Sequence, residues 1–414
     1  MVRSRRLRAA TGLGVVVCTA ACGGGVTPQV GGRLEPLIAH EPAPPPVDDL
    51  AIAAIFPTLG RFAISGRQSH NGAWLAAQDI NSRGGIHGRD IALLDYRTGS
   101  YFLDTRRAAE LAGSRGALAM VGANASSLSK AVATVAESVG LVQVSNVSTA
   151  LDLTWDPATG RERPFVFRVC ASDVLMGRAL AEFARDDLRA QRVALLYEVG
   201  RTYSAQLAQS FSDHFQRPDQ GRLTEEFFYL PLETDFRSQL RQIAAFAPDV
   251  IFVPGSFPDA TLIGTQAELL GLDPTLLGAD GWSNHLLFNR GGPERPAYHA
   301  DHCSVTAGFR DRYVGEFGDE MDGCRAALAY DAVAAIAHAL GALGPLTEAD
   351  LSSHIATTRD RLREALQRVS VSGRAGMLRF DEHGDSVRRL AVFEVQRTPR
   401  GVESKLVRWL GAAP

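Results

Sequence analysis

From Ala119 to Thr149 apolar and polar stretches alternate in a regular rhythm. Ala119–Val121 is a short apolar run, and Gly122–Ser127 is small and polar. Leu128, Ala131, Val132, Val135, Ala136 and Val139 then recur at i, i+3, i+4, i+7, i+8 and i+11, one face of a helix. Leu141–Val144 is apolar again and runs into Ser145-Asn146-Val147-Ser148-Thr149. The pattern predicts strand, turn, helix, strand and turn, with two parallel strands ending in hydroxyl-rich turns on one sheet edge. Open α/β sheets hold ligands at that edge. The free N–H groups of a helix start suit a carboxylate or another anion. The stretch therefore predicts half of a small-molecule pocket.

The same alternation extends in both directions. Ala51–Phe56 and Ile91–Tyr96 read as strands, with helices from Gly66 and from Asp104, which caps a helix through Leu111. After Phe165–Val169, Asp173 could cap a helix through Phe183. Strands are then predicted at Val193–Tyr197, Thr224–Tyr229, Asp249–Val253 and Thr275–Ala279, with helices from about Tyr203, Asp235 and Pro258 between them. Arg325–Leu340 presents a small apolar face, whereas Arg359–Arg368 is so charged that it reads as a solvated helix face. Met377–Phe380 and Leu390–Val395 are predicted as strands joined by a turn at Asp381–Asp385. The order implies an α/β fold of two doubly wound, parallel-sheet lobes, between which the chain passes several times.

Composition narrows the class. The chain has 414 residues, 45% hydrophobic and 21% charged, with a formal net charge of −3. That is ordinary globular composition with no call for a nucleic-acid partner. No apolar run reaches the roughly 20 residues of a membrane span. At the N-terminus, Arg3, Arg5, Arg6 and Arg8 precede a weakly apolar Thr11–Ala21 segment. Thr19-Ala20-Ala21-Cys22 followed by three glycines resembles a bacterial lipoprotein signal, with residues 1–21 removed and Cys22 lipidated. Leucine is usual where Thr19 stands, and the alternative is an ordinary export signal followed by a chance cysteine. Residues 22–49, rich in glycine and proline, read as a tether. In an exported protein Cys303 and Cys324 are the expected disulfide, leaving Cys170 in a buried strand. His299, His302 and Cys303 lack a second clean ligand pair, so no metal is expected there.

From Ala51 to about Val395 the chain resembles the type I periplasmic solute-binding proteins, in particular the leucine/isoleucine/valine-binding group. The resemblance rests on Gly60–Gly66, Asn71-Gly72-Ala73, Gly84–Arg89, Phe165–Arg168, Gly177-Arg178-Ala179, Leu277–Trp282, Ala327–Val333 and Gly373–Gly384, in order and at matching spacing. It implies two lobes joined by three crossovers: residues 50–170 with about 303–370, and 171–302 with about 371–410. It also implies that the lobes close on a solute, which is delivered to an ABC permease at a membrane that the chain touches only through a lipid anchor.

Carried over by position, Ser126 or Ser127 and Thr149 would hold an α-carboxylate, helped by the backbone at Val147, with Ser148 also counted among the ligand-binding residues. Tyr203 would close over the ligand, and Asp280 would take its α-ammonium. Ser65 and Ser256 stand where aromatic walls are common, which implies a roomier and more polar cavity. Each assignment has a plainer alternative: Ser126 or Ser127 as helix cap, Thr149 as turn residue, Asp280 as cap, Tyr203 as packing. Arg61 could reach toward the cleft and favour an acidic ligand, its plainer alternative being a solvated charge. The chain carries no Gly-x-Gly-x-x-Gly after Ala51–Phe56, no Walker loop and no Gly-x-Ser-x-Gly elbow, so neither a cofactor nor catalysis is expected. The alternative function is an interaction lipoprotein of the same fold, a partner of cell-wall synthases or sensors with a vestigial cleft.

Overall fold

The computed structural model describes residues 38–46, 48–217, 219, 222–283, 297–398 and 401–411. The expected signal segment, Cys22 and the first part of the tether lie outside the described residues. Within the expected 22–49 tether, Ile38–His40 forms a strand antiparallel to Ile91–Thr98. Arg115 holds the following residues through the Pro42 carbonyl, at 2.7 Å, and the Glu41 carboxylate.

Two sheets organise the rest. The first runs, edge to edge, through Ile38–His40, Ile91–Thr98, Leu50–Pro57, Ala119–Gly122, Val142–Ser145 and Val166–Arg168, parallel except at the first strand. The second runs through Leu223–Tyr229, Arg192–Glu198, Val250–Phe252, Thr275–Gly278, Ala297–Asp301, Leu390–Thr398 and Gly401–Leu410. Its last two strands are antiparallel. Central strands such as Leu50–Pro57 are buried at every position, as a sheet covered on both faces requires.

Helices cover both faces of each sheet. On the first, Ala63–Asn81 packs against Arg325–Ala342 at such close range that a Cβ on Gly72 would fall 2.0 Å from the Ala326 carbonyl. Glycine is needed there because no other side chain leaves room for the neighbouring backbone. The predicted face of Ser126–Val139 holds for Leu128, Val132, Val135 and Ala136, but Ala133 replaces Ala131 inside and Val139 is exposed.

The chain crosses between the sheets three times. Cys170 packs in the first lobe's core and Ala171 in the second's; Cys303 returns to the first, bonded to Cys324. The third passage falls later than residue 371, because Val369, Leu378 and Phe380 belong to the first core and Leu390 to the second. Accordingly the expected hairpin does not form. Gly376–Arg379 pairs with Ser370–Gly373, and Leu390–Thr398 with Ala297–Asp301. Local pattern could not reveal that Asp381–Asp385 leads into a crossover. Arg359 is also not solvated: it is buried, donating Nε to the Ala117 carbonyl at 3.0 Å and Nη2 to Gly113 at 2.9 Å. It thereby occupies the Gly113 carbonyl in the last turn of helix Phe102–Ser114 and the Ala117 carbonyl just beyond that helix.

Arg168 joins the passages. Fully buried, it donates Nε and Nη2 to the two Asp385 oxygens at 2.7 Å each, and Nη1 to the Thr149 and Ala150 carbonyls at 2.7 Å. Beside it, Asp173 opens helix Asp173–Asp186, and Ser172, one residue earlier than expected, supplies the cap. Burial pushes the Asp173 carboxyl up from 3.8 to about 8, against the opposing pull of Thr149 and Arg168.

Arg168→Met should cost about 3–5 kcal/mol by orphaning the Asp385 charge, read as a lower urea midpoint. For Asp173, a folded pKa above the unfolded one means stability that is full below pH 4 and lost as pH rises toward 8. Asp173→Asn should therefore gain melting temperature relative to the parent between pH 5 and pH 8. A pH-independent difference would contradict this.

Candidate functional site

The carboxyl ends of the central strands in both sheets face one cavity of about 690 Å³. On the first lobe, the loop after Leu50–Pro57 brings Arg61 and Phe62, and the helix that follows brings Ser65 and Gln68. The turn after Ala119–Gly122 brings Asn124–Ser127, and the turn after Val142–Ser145 brings Val147. Gly122, at φ +131°, could carry no side chain there, since a Cβ would lie 2.1 Å from the Ile55 carbonyl. Asn124 ties this wall together, donating to Ser65 Oγ while its Oδ1 accepts from Ser69 Oγ at 2.6 Å and from Asn146 Nδ2 at 2.8 Å.

Ser126 and Ser127 are the first two residues of helix Ser126–Val139, whose cap position is Ala125 with no side-chain cap. Neither serine is therefore spent on capping. Both serines line the cavity at a helix start, where first-turn N–H groups lack intrahelical partners, an arrangement that favours an anion. Ser148 and Thr149 stand behind this wall and do not line it. Ser148 Oγ shares a hydrogen bond of 2.6 Å with Ser129 Oγ, and the Thr149 carbonyl accepts from Asp173 N and Arg168. Both are buried by the chain's descent into the first crossover.

The second lobe contributes Glu198 at the end of its strand, Arg201 and Tyr203 at the following helix, Ser256–Asp259, and Asp280 after Thr275–Gly278. Tyr203 Oη donates to Asp280 Oδ1 at 2.9 Å, and His302 Nε2 lies 3.5 Å from Oδ2. The Ala171 N–H donates to His302 Nδ1 at 3.3 Å, which assigns the ring proton facing Asp280 to Nε2. Burial alone would raise the Asp280 pKa. The nearby His302, the Tyr203 hydrogen bond and the Arg325 charge outweigh it and hold the carboxylate below its usual value. Asp280 is thus an ionised carboxylate in the cavity wall. His302 is accounted for by this contact, His299 by stacking on Phe393, and Cys303 by its disulfide.

Ser256 lines the cavity, but its hydroxyl is committed: it donates to Asp259 Oδ2 at 2.6 Å in a capping box for helix Phe257–Leu269. Arg61 is not a solvated charge. It crosses the cleft, giving Nη1 and Nη2 to Glu198 Oε1 and Oε2 at 2.8 and 2.6 Å. Burial would raise the Glu198 pKa, but Arg61, seconded by Arg201, lowers it. Sequence reasoning missed Glu198, Arg201 and Arg325. Glu198 and Arg201 could have been flagged, since both follow a predicted strand on the ligand edge. Arg325 becomes a wall residue only through the return crossover.

Two lobes, three crossovers and a cleft with an anion-favouring wall opposite an ionised carboxylate define a two-lobed binding protein. Residues 49–400 match the periplasmic binding protein family model, and the chain belongs to that family, with its type I fold. A Leu/Ile/Val-binding protein from Rhizobium johnstonii is 29% identical over 239 residues, covering 57% of this chain and 62% of its own length. The chain thus spans somewhat under two thirds of the curated relatives it matches. The leucine-binding protein LivK of Thermotoga maritima superposes with a TM-score of 0.74 at 26% identity, covering 87% of this chain and 99% of that one. LivJ of Streptococcus pneumoniae, solved with isoleucine, shares the fold with a TM-score of 0.72 at 24% identity, over 87% of this chain and 99% of its own.

The Arg61–Glu198 pair exists only while the lobes are together. Arg61 is 36% exposed, so the pair contributes at most about 1 kcal/mol to closure. Glu198→Gln should still shift the ligand-free chain toward open forms, seen as a larger radius of gyration in small-angle X-ray scattering. An unchanged radius would show that closure does not depend on this pair.

Proposed function

We propose that the chain is an exported, lipid-anchored receptor that captures an amino acid or a similar small polar solute between its lobes and passes it to an ABC permease. It acts by binding, not by catalysis. Asp280 carries the reading: an ionised carboxylate in the cleft wall, hydrogen-bonded by Tyr203 and faced by His302, with the helix start that carries Ser126 and Ser127 on the other lobe. An amino acid needs donors for its carboxylate and an anion for its ammonium, both screened from water. The names of the Leu/Ile/Val-binding relatives support the same class of ligand. Export and anchoring rest on the basic N-terminus and on Cys22. Lobe closure strips water and strengthens both polar contacts.

Titration calorimetry of the folded chain against the common amino acids and small amides tests this. Asp280→Asn keeps a hydrogen-bonding side chain but removes its charge. It should weaken binding of an amine-bearing ligand by about tenfold or more, with little change in the ligand-free melting temperature. Retained affinity would place the ammonium elsewhere.

A further inference from the structure

Hydrogen-bonding capacity in the cavity is unevenly used. The carboxylates of the second-lobe wall already receive protein donors. Glu198 takes both Nη groups of Arg61. Asp259 Oδ2 takes the Ser256 hydroxyl at 2.6 Å, and the Ser256 N–H and the Tyr229 hydroxyl at 3.2 Å each. Asp280 takes the Tyr203 hydroxyl.

Two arginines in the lining are not matched in this way. Arg201 lies 3.5 Å from Glu198, longer than the roughly 2.7–2.9 Å of a charge-assisted hydrogen bond. That contact is made by Nη1 to Oε2, so Nη1 is ion-paired with Glu198 but falls short of a hydrogen bond among the described residues. Arg325 makes a single hydrogen bond among the described residues, Nη2 to the Asp280 carbonyl at 3.2 Å. A guanidinium carries five N–H donors, and leaving them buried without acceptors is costly. The occupied cavity therefore calls for acceptors.

We propose that the solute is an α-amino acid with an acidic side chain, and that Arg201 takes the side-chain carboxylate. The proposal rests on the amino-acid reading above and narrows it. Arg201 is suitably placed: its guanidinium carbon is 5.2 Å from the centre of the Tyr203 ring, and the hydroxyl of that same ring holds Asp280. A ligand whose ammonium meets Asp280 thus has Arg201 within the span of one tyrosine side chain. An aliphatic side chain here would strip water from Arg201, Glu198 and Arg61 and return no hydrogen bond. A basic side chain would compete for Glu198 oxygens that Arg61 already fills. Ser65 also suits a polar side chain: its Oγ accepts from Asn124 on the same wall.

Calorimetry of the full chain with glutamate, aspartate, glutamine, leucine and lysine, repeated on Arg201→Gln, decides the matter. Glutamate or aspartate should bind at least about tenfold tighter than glutamine and leucine. Arg201→Gln should weaken the acidic ligand by about tenfold while changing glutamine affinity by less than about threefold. Leucine or lysine as the tightest ligand would overturn the acidic class and leave the amino-acid receptor standing. An equal loss for glutamate and glutamine in the variant would overturn the role of Arg201. No binding of any of the five, nor of the wider amino-acid panel, by the folded chain would overturn both readings.

Discussion

The structure depends most on one buried cation. Arg168 sits where the first crossover leaves the sheet, and it holds Asp385 of the third crossover and the carbonyls of Thr149 and Ala150 at the same time. A guanidinium without solvent access must have every accessible donor matched, so three segments distant in sequence are bound to one geometry. Burial lowers the Arg168 affinity for its proton, and the Asp385 partner more than restores it. The cleft edge is thereby set: the turn carrying Val147 is fixed at its base, and the helix from Asp173 starts against it.

The cleft uses charge in two ways. Arg61 and Glu198 saturate each other across the lobes, so their contact acts on closure. Asp280 is supported by the Tyr203 hydroxyl and by His302 at 3.5 Å, contacts that leave its negative charge available to a ligand. The two arrangements differ in what they leave over. A bidentate pair spends both partners, whereas a hydrogen-bonded carboxylate keeps a charge to be met. The proposed selectivity for a zwitterion rests on the second kind, and in the proposed acidic-ligand reading the Arg201 donors extend it toward the ligand's far end.

Much of this was legible in the residues. Strand ends followed by small polar turns located the ligand edge, and the positions of Ser126, Ser127, Val147, Tyr203 and Asp280 in the cavity wall follow from that periodicity together with the family resemblance. Ser148 and Thr149 show the limit of such reading. They carry hydroxyls at the expected edge, but alternation along an extended segment cannot tell which side chains meet the cleft and which meet the layer behind it. Arg359 fails in the same way: a charged run looks solvated unless one knows that carbonyls at and just past the end of another helix wait beside it.

The sequence by itself determined the local order of strands and helices, the polar turns at strand ends and the family, because these depend on periodicity, turn chemistry and motif spacing within short windows. Tertiary structure alone decided where the chain changes lobe for the third time, that Arg61 reaches Glu198, that Arg168 reaches Asp385, and that Arg325 enters the cavity wall. Those contacts join residues from 45 to 217 positions apart, across crossovers. No local preference encodes such a meeting. It follows from how two lobes fold over one hinge.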